Sequence, residues 1–306
     1  MNSIHFAAID IGSNAVRLLI KSIVPGNSSD SFGKVLMVRV PLRLGQESFV
    51  SGKISSEKEK QLIRLMKAYK QLMKIYNVVD YRACATSAMR EAKNSSALVK
   101  EIRKETNLHV EIVNGQEEAS IIYESHFGDS LNKELYFLYV DVGGGSTEIS
   151  LIENGELLES KSYDIGTVRL LNNKVKNVEY ERMRYDLTEL KERYKINDII
   201  GSGGNIIKLN TLAKVRKNNK LSLQKLEELN EVLKQLTVDE RIANYKMKPD
   251  RADIITHAAD IYINVATAVG ASHFIVPSIG LTDGIIHMLY MKWKEKNKVE
   301  EPAVLV

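Results

Sequence analysis

Tyr136-Phe137-Leu138-Tyr139-Val140-Asp141-Val142-Gly143-Gly144-Gly145-Ser146-Thr147-Glu148 is an apolar strand that ends on an aspartate and breaks into a glycine turn, a move the chain makes once before. Near the N-terminus the mostly apolar run Ile4 to Ile9 enters Asp10-Ile11-Gly12-Ser13-Asn14-Ala15-Val16-Arg17. Glycines in such a turn let backbone N–H groups converge on an anion with no Cβ in the way, and a carboxylate at the strand end can hold a hydrated divalent cation. Two such turns facing each other would clamp a chain of phosphates. A third glycine turn, Gly201-Ser202-Gly203-Gly204-Asn205, and a fourth, Gly280-Leu281-Thr282-Asp283-Gly284, follow the strand-like runs Asp198 to Ile200 and Phe274 to Val276.

Outward from these turns the chain alternates strand and helix, the pattern of an α/β protein. Val16 to Ile23, Lys34 to Leu42, Val78 to Ala85 and Val110 to Val113 read as strands. Leu62, Leu65, Met66, Tyr69, Leu72, Met73 and Tyr76 recur at helical spacing, so Ser56 to Tyr76 is an amphipathic helix, and a second runs from Ser96 to Thr106. Asn114-Gly115-Gln116-Glu117 has capping-box spacing, which gives Glu117 a structural task at a helix start and leaves its neighbour Glu118 without one. After a polar loop at Asp129 to Lys133 the opening pattern repeats: strand, glycine turn, strand Thr147 to Ile152, a turn at Asn154-Gly155 and a strand toward Ser162. Helices at Val178 to Tyr194 and Ser222 to Leu236 follow, with a last helix after the fourth turn. The duplication is one of topology, not of most side chains.

A chain of 306 residues exceeds the usual single domain of ~100–200 residues, so two domains with a cleft between them are expected, 1–126 and 127–306, the last helix packing back on the first. A single cysteine, Cys84, excludes an internal disulfide, and no N-terminal stretch reads as a leader; a cytoplasmic protein is expected. The apolar stretch Ile254 to Val276 carries His257, Asp260 and Asn264, which suits buried helix and strand and not a membrane span. The net charge of +4, from 43 basic and 39 acidic residues, is mild and implies no strong basic face, so no nucleic-acid partner is expected. A few arginines lining the cleft would still assist capture of a polyanion.

The strand–turn–strand duplication resembles the actin-like ATPase (ribonuclease H-like) superfold. A closer resemblance is carried, in order, by Asp10-Ile-Gly-Ser-Asn14 with Arg17-Leu18, Arg43-Leu44-Gly45, Ala85-Thr86-Ser87-Ala88-Met89-Arg90-Glu91-Ala92, Gly115-Gln-Glu117-Glu118-Ala119, Asp141 to Glu148 and Gly166-Thr167-Val168-Arg169-Leu170. Together these resemble the exopolyphosphatase/guanosine pentaphosphatase family over essentially the whole chain. The resemblance implies a duplicated actin-like α/β fold and hydrolysis of terminal phosphoanhydride bonds of inorganic polyphosphate or guanosine pentaphosphate. It implies Glu118 as the base that activates water, and Asp141 and Glu148 as carboxylates for Mg²⁺ or Mn²⁺. The backbone of Gly12, Ser13 and Asn14, of Gly143, Gly144, Gly145 and Ser146, and of Gly203 and Gly204 would cradle phosphates, with Arg17, Arg90 and Arg169 neutralising charge. Longer members carry a C-terminal helical domain; the short two-domain form is expected here.

Four positions depart from the family pattern. Thr282 stands where arginine is common, Asn205 where threonine is, Ser120 where arginine is and His257 where glycine is. Exopolyphosphatase activity is the leading reading; guanosine pentaphosphate hydrolysis or a weakly hydrolytic alarmone or polyphosphate sensor are the alternatives. With few contacts outside the cleft, short polyphosphates and distributive shortening are expected. Processive degradation would require an extended basic track, completed across a homodimer. The six histidines form no metal spacing, and Cys84 reads as a buried small side chain.

Overall fold

The computed structural model describes residues 3–25, 31–123, 136–153, 156–216, 220–277 and 280–297. The strand–turn–strand repeat builds two sheets of the same plan. In the first, β1 (Ile4–Ile11), β2 (Val16–Val24) and β3 (Ser31–Val40) form an antiparallel meander, and β4 (Val78–Ala85) and β5 (Glu111–Ile112) add parallel to β1, giving the order β3-β2-β1-β4-β5. The second repeats this with β6 (Tyr136–Val142), β7 (Thr147–Glu153), β8 (Glu156–Tyr163), β9 (Ile196–Ser202), β10 (Leu221–Ser222) and β11 (His273–Ile275). Its order is β8-β7-β6-β9-β11, with β10 antiparallel at the edge. This is the duplicated actin-like α/β architecture expected from the sequence.

Thirteen helices are described: α1 (Leu44–Ser51), α2 (Ser56–Ile75), α3 (Ser87–Glu91), α4 (Ser95–Thr106), α5 (Gly115–Tyr123), α6 (Thr167–Leu171), α7 (Asn177–Arg193), α8 (Gly204–Leu212), α9 (Leu223–Lys234), α10 (Val238–Tyr245), α11 (Pro249–Ala252), α12 (Ile255–Val269) and α13 (Leu281–Lys296). None is long and apolar enough to cross a membrane. The amphipathic pattern of α2 buries Leu62, Met66, Tyr69 and Met73 against the first sheet, and the Ser55 side chain caps its start by accepting from the Lys58 N–H.

Side-chain alternation along the strands decides what faces the cleft. Ala7, Ile9 and Ile11 of β1 pack with α2 and α4, which turns Phe6, Ala8 and Asp10 to the opposite face. Likewise Leu138, Val140 and Val142 of β6 pack in the core of the second sheet, so Phe137, Tyr139 and Asp141 point inward. Between the two inner faces lies a shared core centred on α13, whose Leu281, Ile285, Ile286, Leu289 and Tyr290 pack with residues of both sheets.

Several expectations change. The fourth glycine turn is a helix start: Asp283 accepts from the Gly280 N–H at 3.1 Å, and residues 281–284 already belong to α13. Gly284 serves close packing, since a Cβ there would lie 2.0 Å from the Ile121 carbonyl oxygen of α5. The Asn114 side chain caps α5 by accepting from the Glu117 N–H at 2.8 Å, but the Glu117 carboxylate pairs with Arg82 at 2.7 Å. The third strand covers Ser31–Val40 in place of 34–42, and α1, α3, α6, α8, α10 and α11 were not anticipated. The expected loop at 129–133, the turn at 154–155 and the division at 126/127 lie outside the described residues.

Candidate active site

The two glycine turns close the same way. The Gly12 N–H donates to the Ala15 carbonyl at 3.2 Å and the Gly143 N–H to the Ser146 carbonyl at 2.9 Å, each stepping the chain between antiparallel strands. The turns face each other at contact distance: a Cβ on Gly144 would meet Ser13 Cβ at 3.0 Å and Asn14 N at 3.3 Å. Gly145 has a different task from the expected one. A Cβ there would stand 2.3 Å from Ser87 Oγ and 2.4 Å from the Phe49 ring, so its bareness lets the halves close.

Between the turns is a cavity of about 230 Å³ lined by Gly12, Ser13, Asn14 and Arg17 from the first half, and by Asp141, Gly143, Gly144, Ser146 and Glu148 from the second. Gly203 and Gly204 of the third turn also line it. Gly203 has φ of 96°, and a Cβ there would sit 2.7 Å from Asp141 Oδ1. Asp10, Glu118 and Asp283, the last paired with Lys21 at 2.6 Å, complete the acidic lining. Pairing register sets these groups: Asp141 lies opposite Glu148 on β6 and β7, and Asp10 opposite Arg17 on β1 and β2.

The carboxylates are crowded beyond what the protein itself neutralises. Burial, then the neighbouring Glu148 charge, pushes Asp141 up to about 7 from its ordinary 3.8. Glu118 is held well above its usual range by burial and by Glu148, Asp141 and Asp10, with Arg90 opposing. Glu148 is raised by burial despite hydrogen bonds from Ser146 at 2.6 Å and Ser162 at 2.9 Å. Glu118 Oε2 is buried and lacks a hydrogen-bond partner. Uncompensated negative charge of this kind suits a divalent cation. No three His, Cys, Asp or Glu side chains among the described residues make a ready cage. A magnesium-type ion fits that arrangement, since it keeps waters and takes one or two carboxylates plus phosphate oxygens.

Cations line the same cavity, two of them without a motif to announce them. Arg17 pairs with Asp10. Arg39 of β3 holds Asp250 at 2.5 Å, yet its Nε and Nη1 are buried without partners, as is Nε of Arg251. Burial and then the Arg39 and Arg17 charges lower the Arg251 pKa, so these guanidiniums repel one another across the cavity they line.

Two expected phosphate arginines do not line the cavity. Arg90 donates to the Val113 carbonyl at 3.0 Å and does not line the cavity. Arg169 is buried between the halves. It donates to the Gly145 carbonyl at 2.6 Å, pairs with Glu91 and with Asp164 at 3.3 Å, and lies 4.1 Å over the Phe49 ring. It acts as a clamp, because α6 points its side chain into the seam behind the glycine turn. Of the four departures, Thr282 and Asn205 line the cavity; Ser120 and His257 do not, and His257 belongs to a separate depression with Asp260 and Tyr180. Cys84 is buried, which pushes its thiol up to about 12.

The description of the Ppx/GppA phosphatase family matches residues 19–292. The chain is 27% identical over 301 residues, 90% of its length, to a "Bifunctional 3-dehydroquinate synthase/phosphatase" of Fusobacterium nucleatum, and covers 45% of that protein. It is 32% identical over 169 residues, 54% of its length, to "Exopolyphosphatase 2" of Mycobacterium tuberculosis, covering 53% of it. The chain thus spans about half the length of these relatives. A solved Ppx/GppA family member from Aquifex aeolicus superposes with a TM-score of 0.76 at 26% identity, covering 95% of this chain and 99% of that one. The family match begins within β2, after β1 and the first glycine turn, and ends in α13, so it covers most of the chain, and the chain belongs to the Ppx/GppA phosphatase family.

Proposed function

We propose that this protein is an exopolyphosphatase that hydrolyses the terminal phosphoanhydride bond of inorganic polyphosphate and releases orthophosphate. The observation that carries the reading is the buried, partnerless Glu118 Oε2, in a cavity with glycine turns on two sides and three arginines in its lining. In this scheme Glu118 accepts a proton from water as the water oxygen bonds to the terminal phosphorus, and the bond from that phosphorus to the bridging oxygen breaks. The shortened chain leaves as an oxyanion, its charge met by Arg17, Arg39 and Arg251 and by backbone N–H groups of the two turns. Asp141 and Glu148 would hold Mg²⁺ or Mn²⁺, which neutralises phosphate charge when bound. The raised pKa of Glu118 makes it a better proton acceptor once ionised.

Glu118→Gln tests this. The amide keeps the shape but cannot take the proton, so phosphate release falls by ~10²–10⁴-fold while polyphosphate still binds. Near-normal turnover would remove Glu118 from the role. Guanosine pentaphosphate hydrolysis is a second reading, favoured by the apolar Met37, Ile207 and Ile254 lining the cavity beside Arg39 and Arg251, a surface on which a base could rest. Phosphate release from polyphosphate and from guanosine pentaphosphate, measured side by side, separates the two.

A further inference from the structure

The mild net charge conceals an uneven surface. On α2, Lys60, Arg64, Lys67 and Lys74 recur at intervals of four, three and seven residues, and all four are exposed. They form one stripe about 21 Å long at 1.5 Å per residue. On α4, packed beside α2, Lys100, Arg103 and Lys104 are exposed as well. Four acids lie on the two helices: Glu105 takes Lys67 at 2.6 Å, Glu101 takes Lys104 at 3.2 Å, Glu57 accepts from Gln61 at 3.2 Å and Glu59 from Asn94 at 2.7 Å. No ion pair among the described residues engages Lys60, Arg64, Lys74, Lys100 or Arg103. Between the helices runs a groove of about 380 Å³ with Lys67, Lys70 and Lys74 on its wall.

Topology sets the direction of the stripe. β1 and β4 are parallel, and both enter the cleft at their C-terminal ends, through Gly12 and through Thr86. The C-terminus of α2 adjoins the opposite end of β4, so its N-terminus lies toward the cleft. The start of α4 is pinned there too: Asn94 exchanges hydrogen bonds with Ile54 at 2.8 and 3.0 Å, and the Lys93 N–H donates to the Gly52 carbonyl at 2.9 Å. Exposed Lys53 and Lys93 therefore stand at the cleft end of the stripe. From there to Ser87, which lines the cavity, the chain crosses only the five-residue α3.

We propose that this α2/α4 face is a secondary binding track for the distal part of a long polyphosphate chain whose end occupies the cleft. The proposal rests on the exopolyphosphatase reading for its ligand, and it stands against the expectation of short substrates, which assumed few contacts outside the cleft. A flexible polymer carrying negative charge at every unit can match a row of separate cations without base or sugar contacts, and no exposed side chain of α2 or α4 is aromatic, so nothing on these helices stacks a base.

The test neutralises four unpaired cations together, Arg64→Gln, Lys74→Gln, Lys100→Gln and Arg103→Gln, none of which lines the cleft. With tripolyphosphate, which fits inside the cleft, kcat/KM should equal that of the parent protein. With long-chain polyphosphate, kcat/KM per chain end should fall about tenfold at ~0.1 M salt, and the difference should vanish at ~1 M, where the Debye length is ~3 Å. Binding of fluorescently labelled long-chain polyphosphate to the parent protein in chelator reads the track even if polyphosphate is not hydrolysed, which separates failure of the track from failure of the proposed activity. Unchanged long-chain affinity in the variant, equal loss on both chain lengths, or tighter binding of duplex nucleic acid or anionic lipid vesicles at equal charge would each overturn the proposal.

Discussion

Asp141 makes the charge crowding of the cleft measurable without any assay of turnover. In the metal-free folded protein its carboxyl is pushed from 3.8 to about 7, chiefly by burial and by Glu148. A native group that holds its proton across some three pH units in which the unfolded chain has lost it makes stability fall as pH rises from about 4 to about 7. At about 1.36 kcal/mol per pH unit the full effect is about 4 kcal/mol, an upper figure because Glu118 and Glu148 share the same protons. Asp141→Asn removes the ionisable group and keeps its shape. Urea unfolding in chelator should therefore show the parent protein losing stability between pH 5 and pH 8, and the variant losing much less. At pH 8 the metal-free variant should be the more stable of the two. Adding Mg²⁺ at pH 8 should stabilise the parent and leave the variant almost unmoved, and at pH 5 the gain should shrink because protons compete with the ion. Parallel pH profiles for the two proteins, or a variant less stable than its parent in chelator at pH 8, would refute the account of the cavity as an acidic site awaiting a cation.

Arg251→Met should raise the unfolding temperature, because a half-buried guanidinium with a buried, bare Nε and two cationic neighbours is replaced by an apolar side chain, while KM for polyphosphate rises about tenfold or more; calorimetry and initial rates check both halves. Glu117→Gln removes a half-exposed ion pair with Arg82 and keeps the cap made by Asn114, so stability should change by less than about 1 kcal/mol and kcat should be retained, as denaturant melts and steady-state rates would show.

What could be read from the sequence was local. The strand-to-glycine turns, and the facing of Asp10, Arg17, Asp141 and Glu148, follow from a two-residue alternation over a few positions, which strand pairing preserves. Arg39 and Arg251 were hidden because no short-range pattern marks them: Arg39 meets Asp250 across 211 residues, and each arginine looks like a surface charge in its own segment. Arg169 sits inside a recognisable motif, but the motif does not say which side of the glycine turn its side chain takes; packing against Phe49 and Glu91 decides that. Gly280 to Gly284 looked like a turn because glycine at a helix crossing and glycine at a bend are the same letter. The α2/α4 stripe exists only once the helices are wound, and an average over all charges erases it.

The duplication is symmetric in backbone and asymmetric in sign. At the position facing the strand-end aspartate, the first half carries Arg17 and the second carries Glu148. One of these two strand pairs is thereby self-neutralised and the other carries a surplus of negative charge, so folds of one plan present the cavity with unequal charge at equivalent positions. A phosphate chain of the proposed kind would meet that difference before any covalent change, and the two turns would not be equivalent to it. Exchanging those two residues would move the surplus of negative charge from the second pair to the first.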